Sequence, residues 1–155
     1  MKSQYINSFY KAVMDVFKLM LDIKLEKGEL RVVNDMVTGN DANVTIGITG
    51  DLSGSVLFGF PKDMNLEMVR IMSGVEMKKL DSFISSALGE MVNIISGNAV
   101  TNLSRENYKC DIVPPQIIMG QNKSISMATD KALVLPMETE IGGFEINISL
   151  KETRI

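Results

Sequence analysis

Glu90 and Asn93 stand three residues apart in the stretch 82–99, and in a helix that spacing sets a carboxylate and a carboxamide one turn apart, pointing the same way. A carboxylate pairs with a cation, while an amide holds a water through both its oxygen and its nitrogen. Together they are suited to anchor a positive group and to hold a water beside it. The same pair also occurs on ordinary solvated helix faces, so the spacing alone leaves both readings open.

The helix that must carry them has two unlike sides. On a wheel of about 100° per residue, Ile84, Leu88, Met91 and Ile95 share one face, the mark of a stripe against a core. Ser82, Ser86, Gly89, Glu90, Asn93 and Gly97 fall opposite. That second stripe lacks Lys and Arg and is paved with small residues that allow another surface to come close. Glycine costs about 1 kcal/mol in a helix interior relative to alanine, so Gly89 and Gly97 weaken the helix unless close contact offsets them.

The rest of the chain limits the chemistry. Its 155 residues, 45% hydrophobic and 23% charged, suit a single globular domain over 1–155. A net charge of -3 and the lack of a basic stripe argue against a nucleic-acid partner. The single cysteine, Cys110, rules out an internal disulfide framework, fits a reducing cytoplasm and reads as a buried strand residue. There is no histidine, which removes the commonest general base, the commonest zinc ligand and every Ser-His or Cys-His nucleophile. The N-terminal segment is amphipathic and interrupted by Asn7, Lys11 and Asp15, so neither a signal peptide nor a membrane span is expected.

Taken in order, residues 3–22 repeat Ile6, Phe9, Val13, Phe17 and Met20 at helical intervals, with Ser3 as N-cap. A short extended piece is expected within 25–34, and strands at 43–49 and 53–60 form a hairpin about Gly50-Asp51. Asp63 caps a helix that stops at Ser73-Gly74, and the organising helix follows over about 79–103. Most of the twelve methionines sit at core-like spacings and read as gap fillers. A strand at 108–113 runs into Pro114-Pro115, which lack two amide donors and belong at a stiff strand end. A polar loop over 121–124 separates short strands at 116–120 and 125–128, and a last hairpin, 132–140 with 144–151, turns at Gly142-Gly143.

The fold read from this order is α+β: two long helices packed on a largely antiparallel sheet. The order also echoes between two halves, each opening on a helix with Ser-Phe (Ser8-Phe9, Ser82-Phe83), though the echoes are too short to establish a duplication. In that comparison Val16 and Leu19 occupy the first helix's places for Glu90 and Asn93.

These residues resemble the CheC, CheX and FliY family of bacterial chemotaxis phosphatases. Its motif sets Ser or Asp four positions before a Glu, an Asn three positions after it, and a proline about twenty-two further on. Ser86, Glu90, Asn93 and Pro115 match it, with Pro114 alongside. The run Ile6-Asn7-Ser8-Phe9 with Val16-Phe17, and the single Glu-x-x-Asn set, are similar to CheX in particular. The resemblance implies a cytoplasmic phosphatase acting on the aspartyl phosphate of the response regulator CheY, within two-component signalling. It implies that Asn93 orients the attacking water, that Glu90 docks to a lysine at the phosphorylation site, and that Ser86, Gly89 and Gly97 give the partner room. It further implies no metal or cofactor of its own, Mg²⁺ arriving with the phosphorylated partner, a structural role for Pro114 and Pro115, and a homodimer formed through the sheets. For the dimer the sequence offers apolar strands at 56–60 and 146–150, whose edges would need pairing. Two rivals stand beside this reading: a non-catalytic adaptor using the same face, and a structural dimer whose small-residue stripe is only a packing seam.

Overall fold

The computed structural model describes residues 1–79, 81–120 and 124–154. The first helix, α1 (Ser3–Leu21), buries Ile6, Phe9, Val13 and Phe17, the stripe that its periodicity marks. Ser3 is its first helical residue and not its cap, since the N-cap position is Lys2 and no side chain caps it. The chain leaves α1 through Asp22 at φ 55°, in the left-handed region.

Two strands, β1 (Glu26–Lys27) and β2 (Arg31–Thr38), replace the single extended piece expected before residue 34. β3 (Ala42–Gly50) and β4 (Leu52–Phe60) form the expected hairpin, paired from Ala42↔Phe60 to Ile48↔Gly54. α2 (Lys62–Ser73) ends at Gly74, whose φ of 74° favours glycine. Asp63 does not cap it. Asp41 does, its Oδ2 accepting the Lys62 N–H at 2.7 Å, because the β3–β4 hairpin brings residue 41 beside the helix start.

The organising helix, α3 (Ser82–Arg105), begins three residues later than its periodicity marks, where the Asp81 carboxylate accepts the Ile84 N–H at 3.1 Å. After it come β5 (Cys110–Ile112), β6 (Gln116–Met119), β7 (Ser124–Thr139) and β8 (Gly142–Glu152). The two short strands expected at 125–128 and 132–140 are one continuous β7. Of the expected polar loop, residues 121–123 lie outside the described residues. Cys110 is a strand residue as read, but half-buried instead of buried.

All strand pairs are antiparallel, in the order β1-β7-β8-β4-β3-β5, with β2 also on β7 and β6 also on β3. The strands that follow α1 pair with the last hairpin, and those that follow α3 pair with the first. This interlocking does not by itself establish a duplication. It does correct the expected edges. β4 lies between β3 and β8, and β8 lies between β4 and β7, so Val56, Phe58, Ile146 and Ile148 belong to interior strands. The edges belong to β1 and β2 on one side and to β5 and β6 on the other.

One face of the sheet meets the helices. Val44, Ile46, Val56, Phe58, Phe60, Ile146 and Ile148 pack there against Phe9, Phe17, Met64, Leu88 and Ile95, and Phe144 stacks between Phe17 and Phe60. A smaller cluster of Val37, Leu57, Met127 and Ala132 is separate from this core and joins β2 and β7 to β4.

Candidate functional site

α3 is held as a rigid rail. Its inner face, Ile84, Leu88, Met91, Val92, Ile95, Ala99 and Leu103, is fully buried, and Asn102 Nδ2 donates to the Ser8 carbonyl at 3.0 Å, tying it to α1. With the Asp81 cap at the other end, the helix is fixed against rotation and sliding. Rigid elements place side chains more accurately than loops do.

The outer face carries the motif. Ser86 and Glu90 are exposed, and Asn93 and Gly97 are half-buried. Among the described residues, nothing hydrogen-bonds or ion-pairs with the Glu90 carboxylate or the Asn93 carboxamide. From Ser82 to Ser104 the helix has no cation, and Glu90 is its one charge.

The two helix glycines part company here. Gly89 is buried, and a Cβ at that position would lie 3.1 Å from Ile117 Cδ1, so its smallness serves the approach of β6 within this chain. Around Gly97 a Cβ would meet nothing within 4 Å. No packing among the described residues explains that second glycine.

Pro114 and Pro115 fill the break between β5 and β6, where the strand along β3 is interrupted. β6 touches α3 at Gly89 through Ile117, and a cleft joins Thr101 and Ser104 to Cys110 and Asp111 of β5. The helix therefore runs antiparallel to β5 and β6. At about 1.5 Å of rise per helical residue and about 3.3 Å per strand residue, Pro115 comes level with Asn93. Pro115 is half-buried and Pro114 exposed.

Sequence reasoning missed two members of this face. Phe83 is 48% exposed and Ile94 37% exposed, seven residues before and four after Glu90 on the same helix. The signal was present as helical spacing, but apolar residues are assigned to the core by default, and Ile94 sits directly beside the buried Ile95.

Among the described residues, no group of three or more Cys, Asp or Glu side chains is placed to hold a metal ion, and no helix is long and apolar enough to cross a membrane.

The chain is similar to known proteins along most of its length. The family model for chemotaxis phosphatase CheX matches residues 42–138, from β3 through α3 into β7. The CheY-P phosphatase CheX of Thermotoga maritima is 27% identical over 153 residues, 97% of this chain and 98% of that protein. The crystal structure of a chemotaxis protein CheX from Desulfovibrio desulfuricans is similar with a TM-score of 0.86 and 28% identity, over 95% of this chain and 99% of the other. A chain of the CheX–CheY–BeF3–Mg²⁺ complex from Borrelia burgdorferi is similar with a TM-score of 0.80 and 28% identity, over 96% and 98%. With more than half of its length matched by the family model and the α+β architecture shared along almost all of it, the chain belongs to the chemotaxis phosphatase CheX family.

Proposed function

We propose that this chain accelerates hydrolysis of the aspartyl phosphate of a CheY-type response regulator, with Asn93 orienting the attacking water and Glu90 pairing with a lysine at the partner's phosphorylation site. The observation that carries the reading is an exposed carboxylate beside a half-buried amide, both without partners among the described residues, on the outer face of a fixed helix. The Borrelia burgdorferi relative's complex with CheY and Mg²⁺ supports the choice of partner.

The chemistry asks little of the protein. Phosphoryl transfer needs positioning and charge stabilisation, with no covalent step on this chain. A water oxygen attacks the phosphorus in line as the bond to the aspartyl oxygen breaks, releasing inorganic phosphate and restoring the receiver's carboxylate. Asn93 Oδ1 accepts one of the water's protons in a hydrogen bond and so aims its lone pair. Phosphoryl group, aspartate and Mg²⁺ all come with the receiver, so this chain needs neither histidine nor a metal site. Glu90 is a docking and orienting group and not the general base.

Ser86 and Gly97 leave room for the incoming partner. Gly89 supports the site from within, because its contact with Ile117 sets the distance between α3 and the strand beside it. Pro114 and Pro115 make the stiff corner level with Asn93. Cytoplasmic action follows from a cytoplasmic substrate. A homodimer belongs to the same reading, and the β2 edge supports it, with Val32 61% and Met36 48% exposed. A cleft of about 500 Å³ opens beside that edge, lined by Met1, Val32, Leu133 and Leu150 among others.

Ser86 and Glu90 are exposed, so at those positions the stripe is not a packing seam within this chain. The adaptor rival is separated by experiment. Release of inorganic phosphate from a phosphorylated CheY-type receiver with Mg²⁺ is compared for the natural chain, Asn93→Ala and Glu90→Ala. Acceleration by the natural chain that disappears in Asn93→Ala, while binding persists, supports water positioning. Binding by all three with no change in the decay rate makes the adaptor the correct account.

A further inference from the structure

We propose that Phe83 and Ile94 form an apolar clamp that docks the phosphorylated receiver and sets the enzyme's affinity for it, leaving the chemical step to Asn93. The inference rests on the reading of Glu90 and Asn93 as the site and names the surface that brings the partner to them.

Exposed apolar side chains are common singly and by themselves mean little. These two are not scattered. With Glu90 as origin, Phe83 lies about 20° and Ile94 about 40° round the helix on one side, while Asn93 lies about 60° on the other, toward β6. Along the axis they stand about 10 Å before and about 6 Å after Glu90. The helix face thus reads across its width as amide, carboxylate and apolar flank, with one apolar residue towards each end of the site.

Physical chemistry gives this order a use. A carboxylate paired with an ammonium group in bulk water gains little, because the solvent screens the pair. Apolar side chains that close against a partner exclude that water, and such a rim is what makes a central polar contact count. Phe83 and Ile94 flank Glu90 where they can close the two ends, and no cation on α3 between Ser82 and Ser104 competes for the Glu90 carboxylate. The occupant is a receiver domain that presents a lysine and a phosphorylated aspartate with apolar surface beside them. Leu19 is 84% exposed, well above either residue, and stands on α1 and not on the helix that carries Glu90 and Asn93, which makes it the control.

The test is steady-state phosphate release with receiver concentration varied under an excess of small-molecule phosphodonor and Mg²⁺. The double variant Phe83→Ser, Ile94→Ser is expected to raise the half-saturating receiver concentration about tenfold or more, with the saturated rate within about twofold of the parent. Phe83→Leu and Ile94→Val keep the apolar surface and should restore near-parental half-saturation, as should Leu19→Ser. Asn93→Ala should show the opposite split, a lost saturated rate at unchanged binding of the phosphorylated receiver. Unchanged half-saturation in the double variant, with Asn93→Ala inactive, overturns the clamp and spares the site. Full activity in Asn93→Ala with raised half-saturation in the double variant keeps the clamp and overturns the water-positioning role. A thermal melt of each variant excludes misfolding as the cause, since both side chains are substantially exposed.

Discussion

α1 and α3 are both long, and both bury an apolar stripe against the same sheet, yet their outer faces are built for different surroundings. α1 presents Lys11, Asp15 and Lys18 to solvent, and Lys18 Nζ reaches Asp22 Oδ1 at 2.7 Å across its C-terminal turn. α3 presents Ser82, Phe83, Ser86, Glu90, Ile94, Asn98 and Thr101, with a single charge ahead of Arg105. Where α1 sets its one strongly exposed apolar side chain, Leu19, among charged residues, α3 keeps an open glycine, Gly97, and two exposed apolar side chains around a single charge. The first is a face suited to water. The second is less stable alone than it could be, as a face reserved for contact is expected to be.

That contrast can be broken most sharply at Asn93. Asn93→Ala is expected to cut the catalysed dephosphorylation by about 10²-fold or more, the loss typical of one positioned group in a reacting site. Its urea midpoint should stay near the parent's, because no hydrogen bond within the described residues is lost. A large fall in stability would instead make Asn93 a structural residue.

On the inner faces the two helices should behave alike. Leu88→Ala on α3 and Phe17→Ala on α1 each remove a fully buried side chain and should cost about 2–5 kcal/mol in chemical denaturation. Loss of activity in these variants should follow the unfolded fraction alone.

Gly97→Ala sharpens the comparison with opposite signs. A Cβ there meets nothing within 4 Å among the described residues, so the helix should gain up to about 1 kcal/mol, read as a higher melting temperature. Phosphatase activity should fall if the position is kept small for a partner. A stabilised variant with undiminished activity would remove Gly97 from the site. The same change at Gly89 meets Ile117 Cδ1 at 3.1 Å and lacks that clean gain.

The smallest effect belongs to the charged side of α1. Lys18 beside Asp22 holds its carboxyl below the ordinary aspartate range. A depressed folded-state value means that the pair's stabilisation is fully present above the unfolded value near 3.8 and is lost as pH falls through the lower folded value. Asp22→Asn suits the left-handed backbone at this residue and removes only the charge. The difference in urea midpoint between parent and variant should be present at about pH 6 and shrink as the pH falls below the ordinary aspartate value. With Asp22 83% exposed on its side chain it should be slight, and phosphate release should not change.

Sequence periodicity was informative where structure is local. The buried stripes of α1 and α3, the β3–β4 and β7–β8 hairpins and the Gly74 stop were all legible, because each depends on residues a few positions apart. Caps were less so. Asp63 looked like the cap of α2, but a carboxylate more than twenty residues earlier in the chain, Asp41, takes that bond, and only the hairpin places it there.

The residues proposed to form the site were legible in the sequence: a carboxylate and an amide one turn apart, a helix without other charge ahead of Arg105, and a double proline about twenty-two residues on. What the sequence alone could not decide is which surfaces stay open. Strands 56–60 and 146–150 looked like edges and are interior, because the two hairpins pair with each other along β4 and β8. Gly89 and Gly97 looked equivalent, and one is covered by Ile117 while the other faces open space. Ile94 fell in neither stripe of the helix wheel and is exposed on the same helix as Glu90. Helical phase follows from neighbours along the chain, whereas exposure follows from elements brought in from far along it, so the tertiary structure alone turned a polar pair into an accessible site.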